Sequence, residues 1–211
     1  MAARTTFKSA LKGARKTVAD ANVSKALQLE INHEISSPST FRDTERCGSI
    51  GDFSIEWDQE KTQDILLKRK CPSGEELAIS SVLAPLDYDR GFILFPRRVD
   101  LKVCVRRESI SSTLLFDCSL SEKRGGGTSF DIHQAAIFPF STLLASSLYY
   151  TPDYRRLDDN LKRAFKQYLV SKGINKEVCE FVLLHMHKKE EIQYLGWLQK
   201  LNLFIALHSN R

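Results

Sequence analysis

Arg98, Lys102 and Arg106 recur four residues apart in RRVDLKVCVRR, with Leu101, Val103 and Val105 set between them. If this segment is a strand, successive side chains alternate, so the apolar three face one way and the cations the other, with only Asp100 among them. Positions on that face are roughly 7 Å apart, a row that suits a phosphate backbone. The plainer reading is the solvated face of a half-exposed sheet, where basic residues also discourage edge pairing.

No other constellation carries chemistry. His185 and His187 are two residues apart, which on a helix turns them about 200° from each other, whereas paired ligands need i, i+4 spacing. One is expected to pack and the other to face solvent. His33 beside Glu34 lacks the second histidine of a zinc hydrolase, and His133 and His208 stand alone. GGGTS at Gly125 to Ser129 lacks the lysine and spacing of a phosphate loop and reads as a hairpin connection. There is no G-x-S-x-G elbow. The five cysteines, Cys47, Cys71, Cys104, Cys118 and Cys179, are scattered and form no C-x-x-C pair, so they read as free thiols, with Cys118 on an apolar strand face beside Leu114 and Phe116. The expectation is a non-enzyme with no metal and no cofactor.

The elements around these residues follow from periodicity. Val23, Leu27, Ile31 and Ile35 recur every four residues and predict a helix that stops before Pro38. In FSIEWD, Phe53, Ile55 and Trp57 alternate with Ser54, Glu56 and Asp58, the period of a half-buried strand. Further strands are predicted over Asp64 to Lys70, Glu76 to Leu83, Val99 to Arg107, Thr113 to Leu120 and Phe130 to Phe138, separated by short turn signals that favour an antiparallel meander. Leu157, Leu161, Ala164, Phe165, Tyr168 and Leu169 then mark a helix, with Gly173 as its left-handed stop and Asn175 as the cap of the next, which carries Val178, Phe181, Val182 and Met186. A further long helix holds Tyr194, Leu195, Trp197, Leu198, Leu201, Phe204 and Ile205. It is apolar over so much of its girth that one sheet face does not cover it, which points to contact with another subunit. Aromatic residues at this spacing are core or interface before they are a ligand pocket. The stretch IFPFSTLLASSLYY (Ile137 to Tyr150) is a second apolar candidate interface.

The chain has 211 residues, 42% hydrophobic and 27% charged, enough for one core, and no run reaches the roughly 18 to 20 apolar residues of a membrane span. Its 31 basic and 26 acidic residues are unevenly placed: the first twenty positions hold five bases and one acid, so 26 stand against 25 in the remainder. Within that segment Phe7, Ala10, Leu11, Ala14 and Val18 share a helical face opposite Lys8, Lys12, Arg15 and Lys16. A basic, acid-poor amphipathic segment of this kind fits an organellar transit peptide over 1–20, with a single domain over 21–211. A disordered basic tail is the competing reading, and a plastid the competing destination.

The C-terminal third resembles the closing helices of the mitochondrial glycoprotein family, also called the mitochondrial acidic matrix proteins. The likeness is carried by Leu157 and Asp158, Ala164 and Phe165, Tyr168 and Leu169, the turn Lys172 to Ile174, and Tyr194, Leu195, Trp197 and Leu198. Weaker likeness runs upstream through LLFDCSL and FSIEWD, so it spans about residues 23 to 207. The resemblance implies an α+β fold, with an N-terminal helix, a twisted antiparallel sheet of seven strands and two to three C-terminal helices, assembled as a ring-shaped homotrimer in the mitochondrial matrix. It also implies a scaffold or chaperone-like binder tied to mitochondrial translation and respiration, without a catalytic site. Six strands are identified above, so one is left to find. Typical members carry acidic insertions between the middle strands, whereas PLDYDRGFILFPRR and SEKRGGGTS have no acidic excess. The competing function is an RNA- or ribosome-associated protein using Arg98, Lys102 and Arg106. In either case the chain is expected to bind itself and mitochondrial partners without inserting into a membrane.

Overall fold

The computed structural model describes residues 21–37, 48–85, 88–89, 92–93, 97–122, 127–139 and 151–209. Residues 1–20, read from the sequence as a transit peptide, Cys47, and residues 140–150 of the second apolar stretch lie outside them. Two compact units divide the chain, Phe41–Lys189 and Met1–Thr40 with Glu190–Arg211.

In chain order the described elements are helix α1 over residues 21–36, then strands β1 (Ser49–Ile50), β2 (Phe53–Trp57), β3 (Asp64–Lys70) and β4 (Glu75–Leu83). A small hairpin of β5 (Tyr88–Asp89) and β6 (Phe92–Ile93) follows, then β7 (Val99–Arg107), β8 (Ser112–Glu122) and β9 (Thr128–Pro139). A 3-10 turn over Tyr154–Arg156 leads into α2 (Asp159–Ser171) and α3 (Lys176–Ser209). The main sheet has seven antiparallel strands in the order β1-β2-β3-β4-β7-β8-β9. All six expected strands are present, two with the expected bounds and the others with ends shifted by at most two residues, and the seventh is β1. The fold is α+β, as expected.

Alternation sorts the sheet into two faces. Phe53, Leu67, Ile79, Val103 and Phe116 point inward with less than 2% exposure, and meet Leu169 of α2 and Val178, Val182, Leu183 and Met186 of α3 in one continuous core. Each such side chain contributes roughly 1.5 to 3 kcal/mol through burial. Phe116 also packs edge-on against Phe165 of α2, ring centres 5.5 Å apart. Cys118 and Cys179 lie in this core as inert thiols, their pKa values pushed up to about 12 by burial.

The end of α2 is as the sequence indicates. Gly173 takes a φ of +93°, Ile174 N–H returns to the Leu169 carbonyl at 3.1 Å, and a Cβ at Gly173 would collide with the Arg69 guanidinium. Asn175 Oδ1 accepts from Val178 N–H at 3.0 Å and caps α3. The two helices read separately from the sequence after this point are one, 34 residues long. Lys188, Lys189, Glu190 and Glu191 interrupt the apolar pattern but are strong helix formers, and no glycine or proline breaks the chain there. No described helix is long and apolar enough to cross a membrane.

Within the second unit α1 and residues 190–209 of α3 bury Leu27 and Leu198. Ser24 Oγ donates to Asn202 Oδ1 at 3.0 Å and Tyr194 OH to Glu30 Oε1 at 3.2 Å.

Candidate functional site

Three groups of residues stand out once the faces are assigned: the outward side of the sheet, the polar residues that pin helices to it, and the uncovered apolar side chains of the helical unit.

On the outward side, Lys102 and Arg106 share a face of β7 with Cys104 between them, while Arg98 precedes the strand. Register places Lys102 opposite Ser80 on β4 and Asp117 on β8, and Arg106 opposite Glu76 and Thr113. Lys102 Nζ reaches Asp117 Oδ1 at 2.9 Å, and Arg98 Nε lies 3.4 Å from Asp100 Oδ1. Beside them is an open cleft of about 850 Å³ lined by Lys68, Arg69, Lys70 and Arg106 together with Asp52, Glu56 and Glu76. Here too the signs alternate, with Arg69 to Asp52 at 2.6 Å, Lys70 to Glu76 at 3.4 Å and Lys68 to Glu56 at 3.8 Å. The structure therefore brings the predicted cations to one side of the sheet but interleaves them with carboxylates.

The polar residues that pin the helices were not singled out from sequence. Glu75, 1% exposed, accepts Arg107 Nε at 2.6 Å and also binds Lys172 Nζ at the end of α2. The Lys172 hydrogen bond, with that of Arg107, holds the Glu75 carboxyl below its usual range against the opposing effect of burial. Asp58 just beyond β2 takes Lys189 Nζ at 2.7 Å and His185 Nε2 at 2.9 Å. Burial pushes the Asp58 carboxyl up, but Lys189 and His185 outweigh it and the net shift is downward. His187 is buried with Nε2 at 2.7 Å from the Arg97 carbonyl, so one of the two neighbouring histidines packs as expected, whereas His185 is half-buried against Asp58 instead of facing solvent.

Ser119 Oγ and His133 Nε2 share a hydrogen bond of 2.7 Å beside the β8–β9 register shift. Ser119 is buried within the sheet, and its hydroxyl satisfies a cross-strand contact of the kind that stabilises sheets. Among the described residues no three histidine, cysteine or acidic side chains group as a metal site.

In the helical unit Leu198 is buried and Leu201 and Ile205 are half-buried, but Tyr194, Trp197 and Phe204 are exposed, the last two at 55% and 60%. Tyr194 and Trp197 stack with ring centres 6.1 Å apart. Nine of the sixteen exposed large apolar side chains among the described residues fall in this unit, including Val23, Leu29 and Ile35 of α1 and Ile192, Leu203 and Leu207 of α3. So uneven a distribution departs from the ordinary scatter of exposed leucines.

The profile of the mitochondrial glycoprotein family matches residues 96–205, just over half of the 211. The chain belongs to the mitochondrial glycoprotein family. The match runs from the start of β7 almost to the end of α3 and contains every closing-helix residue on which the resemblance rested. Two solved structures share the fold over 89% of this chain and 99% of their own. One is the crystal structure of the Trypanosoma brucei p22 protein, at a TM-score of 0.65 and 22% identity. The other is a Leishmania major protein of unknown function described as a sequence homologue of human p32 protein, at 0.65 and 19%. Their likeness extends the shared architecture upstream of residue 96. The residues that carried the resemblance, such as Phe165, Leu169 and Ile174, are packing residues here, and membership supports a non-catalytic, protein-binding role.

Proposed function

We propose that this member of the mitochondrial glycoprotein family is a self-associating binding scaffold of the mitochondrial matrix that supports translation and respiratory function. The concentration of uncovered apolar side chains on α1 and the end of α3 carries the reading. A single chain leaves Trp197, Phe204 and Leu203 in water, and their burial against a second copy is favoured by the hydrophobic effect. The family resemblance supports a ring-shaped trimer as the form of the assembly, with Tyr194, Trp197, Leu198, Leu201, Phe204 and Ile205 forming or supporting the contact. The basic amphipathic pattern of residues 1–20 supports the location.

The RNA- or ribosome-associated reading draws less support. Lys102 and Arg98 have carboxylates at hydrogen-bonding or ion-pair distance, so much of the positive field that a polyanion would meet is already offset.

Localisation tests the proposal in the cell. Residues 1–40 fused to a fluorescent protein should direct it to mitochondria, and the Trp197→Ser, Phe204→Ser double variant should be imported but recovered as a folded single chain. A diffuse cytosolic fusion, or a variant that assembles like the wild type, would contradict it.

A further inference from the structure

In the sheet unit the ends of β4 and β7, the β7–β8 turn, β8, β9 and α2 line an open slot of about 370 Å³, within the range of small-ligand pockets. Its apolar walls include Ile110 and Ile137, 48% and 59% exposed, and Leu114, which pairs with Ile137 across the β8–β9 ladder. Its polar lining is provided by Glu75 and Arg107 together with Ser112 and Tyr168. The charges there do not balance locally. Arg107 and Lys172 both bind the single buried carboxylate of Glu75, Arg107 through Nε and one Nη on the same oxygen at 2.6 and 2.5 Å. The second Nη of Arg107 is not used in that pair, and the side chain is half exposed. An aliphatic wall next to surplus positive charge is complementary to a molecule with an apolar tail and an anionic head.

We propose that this slot binds a small aliphatic carboxylate, its chain against Ile110, Leu114 and Ile137 and its carboxylate on Arg107. A neutral or cationic head of the same length gains the apolar contact but not the charge-assisted hydrogen bond.

Calorimetric titration of the full chain with octanoate, octanol and octylammonium tests this. Octanoate should bind saturably below its micelle-forming concentration, about tenfold or more tighter than octanol, with octylammonium weakest. Arg107→Gln should erase the preference for octanoate over octanol. Because that change also disturbs Glu75, Ile137→Asp provides the independent check: on an exposed side chain it should leave the melting temperature unaltered and abolish binding. Equal affinity for octanoate and octanol would overturn the proposal, as would binding that survives Ile137→Asp. Capture of a peptide with an apolar C-terminal residue, but not of octanoate, would overturn it in favour of a macromolecular partner.

Discussion

Lys102 Nζ stands 2.9 Å from Asp117 Oδ1, directly across the β7–β8 ladder. The pair decides how the basic strand meets a polyanion. A phosphate contact through Lys102 must displace a carboxylate already in place, so removing the lysine should alter the salt dependence of RNA binding by less than the roughly one unit expected of a free cation. Removing Asp117 should do the reverse. Asp117→Asn is expected to raise RNA affinity and steepen its salt slope, while Lys102→Gln changes both little. Filter binding across a salt series checks this, and a full-unit loss of slope in Lys102→Gln would show that the lysine is available.

Glu75 should set the acid limit of stability. Its folded carboxyl is held below its usual value near 4.5, chiefly by Lys172. A depressed acid contributes stability that is complete above its unfolded pKa and is lost as pH falls through the lower, folded value. Glu75→Gln should cost about 3 kcal/mol near neutrality, the low end for a broken buried pair because Arg107 is half exposed. The difference from wild type should shrink as pH falls below the usual glutamate range. Urea melts across that range would show a constant difference if the pair were unimportant.

Neighbouring residues on α3 should separate stability from assembly. Leu198 is 3% exposed, so Leu198→Ala should cost about 2 to 5 kcal/mol in the chain itself. Trp197 is 55% exposed, so Trp197→Ala should change single-chain stability by only about 0.5 kcal/mol and act on association instead. Dilute-solution melts and concentration-dependent sedimentation distinguish the two effects. An equal loss of stability in both variants would place Trp197 in the core.

The sheet was legible because its inner residues alternate without interruption: Leu101, Val103 and Val105, or Leu77 and Ile79, announce both the strand and its buried face. β1 was not, since two residues have no period. Lys188 to Glu191 hid the continuity of α3 by breaking its apolar pattern while preserving its helical propensity. The offset of Lys102 by Asp117 was invisible for another reason. The two are fifteen positions apart, and only the β7–β8 register makes them neighbours. Glu75 was missed similarly, because its importance comes from Arg107 and Lys172, 32 and 97 positions away. Trp197 and Phe204 were recognised as too many apolar residues for one helix to bury, and in the chain they are indeed left exposed.

The proposed role of the helical unit is to join copies of the chain, and the mass in solution tests it most directly. Light scattering on the purified full chain at micromolar concentration should report about three times the 24.0 kDa of one copy. A monodisperse species of 24.0 kDa at that concentration would contradict the account.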